Sequence, residues 1–350
     1  MIRAQDTPRF AKPRPHPRDV SNLLVAICCL LVVGSPSPFV DACFPPSPAG
    51  GIPKGCHNHA CTRGEPYDDW VQHLCQTVTK LGIDIGIIST HVWKLFSDCA
   101  GLDALATGLE VAKDAGVPVR TSHEGACDYE KNSQAWLSAV HRPKVLFNDI
   151  LERNFEKDCA SFDLVSQMEK ELPESDVYGA GFPCTPYSYL HFGSRGVEEN
   201  AARPMFQVQR TILKRRPRIS ILENVRGIMK PSVWPTVKKL LDELLQANMS
   251  VTVICGMSPH CFGEPLHRDR VYIVVADRTR VSKRFQKILL KILGALKREP
   301  TRGVSDILRF TPSPAVPRPS KRRATTPCTC SLGTSCTRYS VNACTCTVMR

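Results

Sequence analysis

The sequence holds 17 cysteines but no paired Cys-x-x-Cys module, which excludes the ribbon and finger arrangements that clip zinc between two such turns. A membrane-length apolar run is also missing. The stretch Leu23 to Val33 falls well short of the roughly 20 residues a bilayer requires. Acidic residues are scarce beside basic ones, 33 against 46, so the formal charge is +13 and a polyanionic partner is favoured. Much of that excess lies in clusters at 3–18, 278–303 and 318–323, mostly outside the segments with a core-forming pattern.

These patterns divide the chain. Residues 1–50 carry five Lys/Arg before Asn22, then the apolar run, then small residues and prolines. That order is expected of a secretory leader cleaved after Ala42, of an organelle-targeting leader, or of sequence outside the natural frame. The secretory reading conflicts with a thiol that must stay reduced, whereas the last is compatible with a nuclear location. Residues 51–91 form an N-terminal extension with an amphipathic helical pattern from Asp68 to Leu81. Cys56, His57, His59 and Cys61 lie together in it, at a spacing that matches no standard zinc module, and no metal is assigned to them. Residues 92–276 make the main domain and 277–310 a basic helical segment around Phe285 to Leu296. Residues 311–350, Pro/Arg-rich and then Cys/Ser/Thr-rich, read as disordered.

Within 92–276, apolar runs at 176–180, 219–222, 249–254 and 270–276 alternate with helical patterns at 201–214 and 234–246. In the second helix Val237, Leu240, Leu241, Leu244 and Leu245 recur at helical spacing. Alternating units of this kind predict an α/β fold, a Rossmann-like, mostly parallel sheet with helices on both faces.

Three segments carry chemistry. In GAGFPCTPYS, Gly181, Pro183 and Pro186 forbid regular structure and fix the backbone around Cys184 just after a strand. A loop leaving a parallel sheet is where open α/β folds place reactive groups. In ISILENVRG, a buried run ends in Glu223 and Asn224, and an acid there is costly unless it is used or paired. In HRDRVYIVV, Arg268 and Arg270 stand at the start of another apolar strand.

The order GFPCTPYS, LENV, HRDRVYIV resembles the C5-cytosine DNA methyltransferase family over roughly residues 92–276. The resemblance implies S-adenosylmethionine as cofactor and DNA as partner, with RNA open because the catalytic motifs do not separate the two. No stable membrane association is expected. Cytosine C5 is a poor nucleophile, and adding a thiolate at C6 makes the ring electron rich. By resemblance Cys184 makes that attack, Glu223 shares a proton with N3, Arg268 and Arg270 steady the base and the thiol loop, and the Phe182 carbonyl meets the exocyclic amine. The target base must leave the helix first.

The cofactor half is expected upstream. FSDCAGL resembles the family's first strand and Gly-rich turn, with Phe96 stacked on adenine and Ser97, Cys99 and Gly101 lining the turn. Asp98 and Ala100 replace glycines there, Lys94 replaces an acid, and a side chain where only glycine fits clashes with the cofactor or forces the loop outward. Glu124 is the expected ribose partner, beside a Gly125 that stands where a packing residue is usual. Asp149 and Ile150 are expected at the adenine, and Gly181 and Pro183 complete the set. After residue 276 neither a target-recognition domain nor a closing motif is visible, and Leu266 replaces a glutamine. The altered turn leaves a second reading open, a non-catalytic relative that binds nucleic acid or a partner.

Overall fold

Apolar runs too short for helices and rich in Val, Ile, Phe and Tyr pair as strands from Val92 onward. A computed structural model describes residues 91–114, 119–189, 191, 195–263, 267–282 and 284–299, with helical positions 73, 76, 77 and 80. The leader, the cluster at 56–61, Leu266 and the tail from 311 lie outside the described residues.

Among the described residues nine strands form one sheet. They are β1 (Val92–Asp98), β2 (Arg120–Cys127), β3 (Val145–Phe147), β4 (Ser161–Asp163), β5 (Met168–Lys170), β6 (Val177–Ala180), β7 (Ile219–Val225), β8 (Met249–Met257) and β9 (Arg270–Asp277). Their spatial order is β5-β4-β3-β2-β1-β6-β7-β9-β8. The centre, from β3 to β7, is parallel. Both flanks are antiparallel, with β4 and β5 beyond β3 and with β9 inserted between β7 and β8.

Among the described residues from 91 onward, α-helices α1 (Ala104–Asp114), α2 (Lys131–Trp136), α3 (Arg203–Arg215), α4 (Trp234–Gln246) and α5 (Phe285–Leu296) accompany the sheet. Phe96, Phe147 and Tyr178 pack in one cluster with Met205, Val208 and Ile212 of α3 and Val237 and Leu241 of α4. Successive strand residues point to opposite faces. Next to Tyr178, Gly179 therefore opens the other face, where α1 comes so close that a Cβ would lie 2.8 Å from Leu105 Cδ2. Helix α5 buries Phe285, Leu289, Ile292, Leu293 and Leu296, and Gln286 Nε2 donates to the Val251 carbonyl of β8 at 2.8 Å. The basic segment after 276 thus contributes to the core through its apolar stripe.

The amino ends of the central strands meet at one buried carboxylate. Asp176 accepts from the Lys94 amide (3.2 Å), Arg218 Nε (2.8 Å) and Arg280 Nη2 (3.3 Å), and lies 3.1 Å from His91 Nε2. Burial alone would push this carboxyl up. The Lys94 amide, His91 and Arg218 outweigh that and hold it below its ordinary value. A carboxyl that binds its proton less tightly when folded stabilises the fold above its unfolded pKa and loses that contribution as pH falls through the folded value. Asp176→Asn is expected to lower stability at neutral pH and to flatten the acid limb of the stability curve below about pH 4. Urea midpoints measured across pH check this, and parallel curves for the two proteins would contradict it.

Candidate active site

Strands β1 and β6 are parallel neighbours, but the chain leaves β1 towards β2 and leaves β6 towards β7. Connections that part in opposite directions open a crevice at the carboxyl ends of the strands, the usual ligand position in such sheets. Two loops enter that crevice, one after Asp98 and one after Ala180.

The second loop carries the thiol. Phe182 and Tyr187 are buried and pack edge to face with centroids 6.2 Å apart, anchoring the loop at both ends. Between them the Cys184 carbonyl accepts from the amides of Tyr187 (2.9 Å) and Ser188 (3.0 Å), which closes a tight turn. Cys184 itself is exposed and free. The turn is clamped from β7 and the segment after it. Asn224 Nδ2, buried, donates to the Phe182 carbonyl at 2.9 Å. One lone pair of the carbonyl expected to meet the base is therefore taken by Asn224. A Cβ on Gly227 would lie 1.8 Å from the Tyr187 carbonyl oxygen, so only glycine lets the backbones approach. Lys230 Nζ donates to the Ser188 carbonyl at 2.8 Å.

Glu223 lies on β7 beside this loop, with Oε2 4.0 Å from where a Gly181 Cβ would stand. Because β9 runs antiparallel to β7, the residue that begins β9 meets the end of β7, and Arg270 lies opposite Val225. Arg270 Nε reaches Glu223 Oε1 at 2.6 Å. Tyr272 sits among these charges: burial pushes its hydroxyl pKa up, Glu223 adds to the shift, and Arg268 and Arg270 oppose it. The Arg268 amide donates to Ser258 Oγ at 2.9 Å.

Cys99, Gly101 and Asp103 of the first loop all have positive φ, at 48°, 57° and 51°. Its turn is held from β2, since the Ala100 amide donates to the Cys127 carbonyl (3.1 Å) and the Gly101 amide to Asp128 Oδ2 (2.7 Å). A Cβ on Gly181 would lie 3.6 Å from the Cys99 carbonyl, so the two loops are in contact. Above Gly101 a Cβ would meet nothing within 4 Å, which leaves space on the rim. Asp128 borders that space. Burial raises its pKa above the ordinary aspartate value, and nearby Glu130 and Asp149 add to the rise against the two amide hydrogen bonds.

The expected cofactor residues separate into three groups. Cys99, Gly101, Asp149, Gly181 and Pro183 lie on the loops at the carboxyl rim, with Asp149 capping the turn Ile150–Glu152. Phe96 and Ile150 lie in the core at 0% and 3% exposure, while buried Ser97 donates to Asp103 Oδ1 at 3.0 Å, so their side chains line no open surface. Glu124 precedes the end of β2 by three residues and accepts from Lys144 Nζ at 2.8 Å, away from the rim. Asp128 is the acid that directly follows the end of β2. The signal for it was the cap pattern Asp-x-Glu before α2, in which Asp128 Oδ1 accepts the Glu130 amide and Glu130 caps the helix. Gly125 belongs to β2, where a Cβ would lie 2.6 Å from Val145 Cγ2 and 2.8 Å from Phe96. The Asp98 side chain does not enter the crevice, because it turns into the core and pairs with Arg153.

The model of the C-5 cytosine-specific DNA methylase family matches residues 93–310, past the point where the sequence resemblance was expected to end. The chain is 34% identical over 113 residues to the type II methyltransferase M.BsuFI of Bacillus subtilis, covering 32% of this chain and 27% of that protein. It is 29% identical over 183 residues to M.NlaX of Neisseria lactamica, covering 52% of each. The chain therefore spans about a quarter to a half of the length of these curated relatives. A solved structure of the Entamoeba histolytica methyltransferase EhMeth aligns with a TM-score of 0.39 at 15% identity, covering 53% of each chain.

The clamp on the thiol loop is open to test. Asn224→Ala leaves the buried Phe182 carbonyl without its amide donor and is expected to cost ~1–3 kcal/mol. Gly227→Ala is expected to push residues 182–188 outward and to speed amide exchange there more than in β1 or β2. Exchange at 182–188 that stays at the unaltered rate in both variants would show that the loop holds itself.

Proposed function

The chain belongs to the C-5 cytosine-specific DNA methylase family, and from that premise we propose that it transfers a methyl group from S-adenosylmethionine to C5 of cytosine in DNA through a covalent Cys184–C6 adduct. The observation that carries the reading is the convergence of an exposed, clamped thiol with the Glu223–Arg270 pair beside the β1–β6 crevice. Asp128, Asp149 and the open space over Gly101 suit a ligand with hydroxyl and amino groups, so the rim fits the cofactor. Asp98 is no obstacle to that fit, being turned away.

The chemistry assigned to the chain follows from these positions. With the base flipped into the crevice, Cys184 Sγ bonds to C6 and ring electrons move towards C5 and N3. Glu223 shares a proton with N3 and limits the negative charge there, while Arg270 fixes the carboxyl that does so. When bound, S-adenosylmethionine would supply the methyl group to C5, its carbon–sulfur bond breaking to leave S-adenosylhomocysteine. Loss of the C5 proton to a base returns an electron pair to the ring, and Cys184 leaves as the C5–C6 double bond re-forms. Asn224 and Gly227 keep the thiol at one height throughout, which matters because small misplacements of reacting atoms cost large factors in rate. The basic charge excess favours the phosphate backbone of the substrate.

An oligonucleotide carrying 5-fluorocytosine tests the nucleophile, since fluorine does not leave C5 as a proton does. In the presence of cofactor the full chain is expected to give an adduct stable to denaturing electrophoresis, and Cys184→Ala to give none. Survival of the adduct in that variant would remove Cys184 from the role. Glu223→Gln keeps the shape but supplies no proton, so turnover is expected to fall by roughly 10²–10⁴-fold. S-adenosylhomocysteine affinity should hardly change, and an equal loss in both would make Glu223 structural.

A further inference from the structure

At the base of the crevice two charges are sealed from water. Asp98 ends β1 and Arg153 follows the turn that Asp149 caps, and both side chains are 0% exposed. Arg153 Nη2 donates to Asp98 Oδ1 at 2.6 Å and Nη1 to Asp98 Oδ2 at 2.7 Å, a two-pronged contact. Nη1 also donates to Thr211 Oγ1 of α3 at 2.7 Å, and the Tyr178 hydroxyl of β6 donates to Asp98 Oδ2. The guanidinium lies 5.8 Å from the centroid of Phe96.

Burying two ions is costly, and an apolar pair of similar volume would often serve packing as well or better. A fork-to-carboxylate contact adds what an apolar pair does not, a fixed distance and a fixed plane between two backbone segments. Here those segments are the two walls of the rim. Asp98 directly precedes Cys99, where the backbone enters the left-handed path that ends at Gly101 and Asp103. Arg153 donates its own amide to Ile150 and so ties to the turn that presents Asp149.

We propose that Arg153 is a positioning residue which, through Asp98, sets the separation of the turn Cys99–Gly101 from Asp149 and thereby the fit of the cofactor. The proposal rests on the reading of this rim as the S-adenosylmethionine site. It explains how a chain without glycine at position 98 keeps its turn on the rim: the added carboxylate is drawn down to a partner on the facing wall.

The test uses the full chain, with calorimetry of S-adenosylhomocysteine, the melting midpoint and amide exchange at 99–101. The paired variant Asp98→Leu with Arg153→Met removes both charges. It is expected to melt at or above the unaltered midpoint while binding S-adenosylhomocysteine at least tenfold more weakly, with faster exchange at 99–101. Equal affinity in the paired variant would overturn the positioning role. Should the paired variant not fold, Arg153→Lys decides, because it keeps the charge but loses the fork. Weaker binding by that variant supports the proposal and unchanged binding overturns it. If the unaltered chain binds no S-adenosylhomocysteine, the cofactor reading itself falls and the proposal with it.

Discussion

Parallel pairing of β1 with β6 is the constraint from which the site follows. The two strands lie side by side in register from Leu95 with Val177 to Asp98 with Ala180, although about 80 residues separate them in the chain. Each strand therefore ends at the same height, and each releases its loop into the same crevice. The connection after β1 turns to one side and that after β6 to the other, which opens the crevice between them. Contact between Gly181 and the Cys99 carbonyl is a direct result of that shared height.

The neighbouring strand pair does the complementary work. Strand β7 continues past the end of β6 and carries Glu223 and Asn224 to the flank of the thiol loop, one facing the crevice and one facing the buried Phe182 carbonyl. Alternation along a strand explains the division: adjacent residues point to opposite faces. Because β9 is antiparallel to β7, a residue that begins one strand pairs with an acid near the end of the other. The same basic side chain at the start of a parallel strand would have pointed to the far edge of the sheet.

Buried charge is concentrated at the two ends of the central strands. Asp176 gathers donors from β1, from the start of β7 and from the segment after β9 at the amino end. Asp98 gathers Arg153 and Tyr178 at the carboxyl end. An unpaired carboxylate at either place would be expensive, whereas a partnered one fixes the strands it touches. The Asp98 cluster sits directly beneath the rim, so the order it imposes is felt where a ligand would lie.

Much of this was legible in the residues alone. Helices Trp234–Gln246 and Phe285–Leu296 have the ends that their apolar spacing indicates, and the strand before Cys184, the polar end of β7 and the arginine at the start of β9 stand where their patterns place them. Such features are local: side-chain periodicity and the effects of proline and glycine act over a few residues. What the tertiary structure alone decided was which side chains share a space. The Asp-x-Glu pattern before α2 marks Asp128 locally, but only the fold shows that β2 ends where this acid meets the turn at Gly101 and borders the rim. Nothing in FSDCAGL says that Phe96 is covered by Phe147 and Tyr178, or that Asp98 turns inward. Those outcomes depend on strand register and on partners 50 to 80 residues away, and a buried acid takes its direction from wherever the fold puts a guanidinium to meet it.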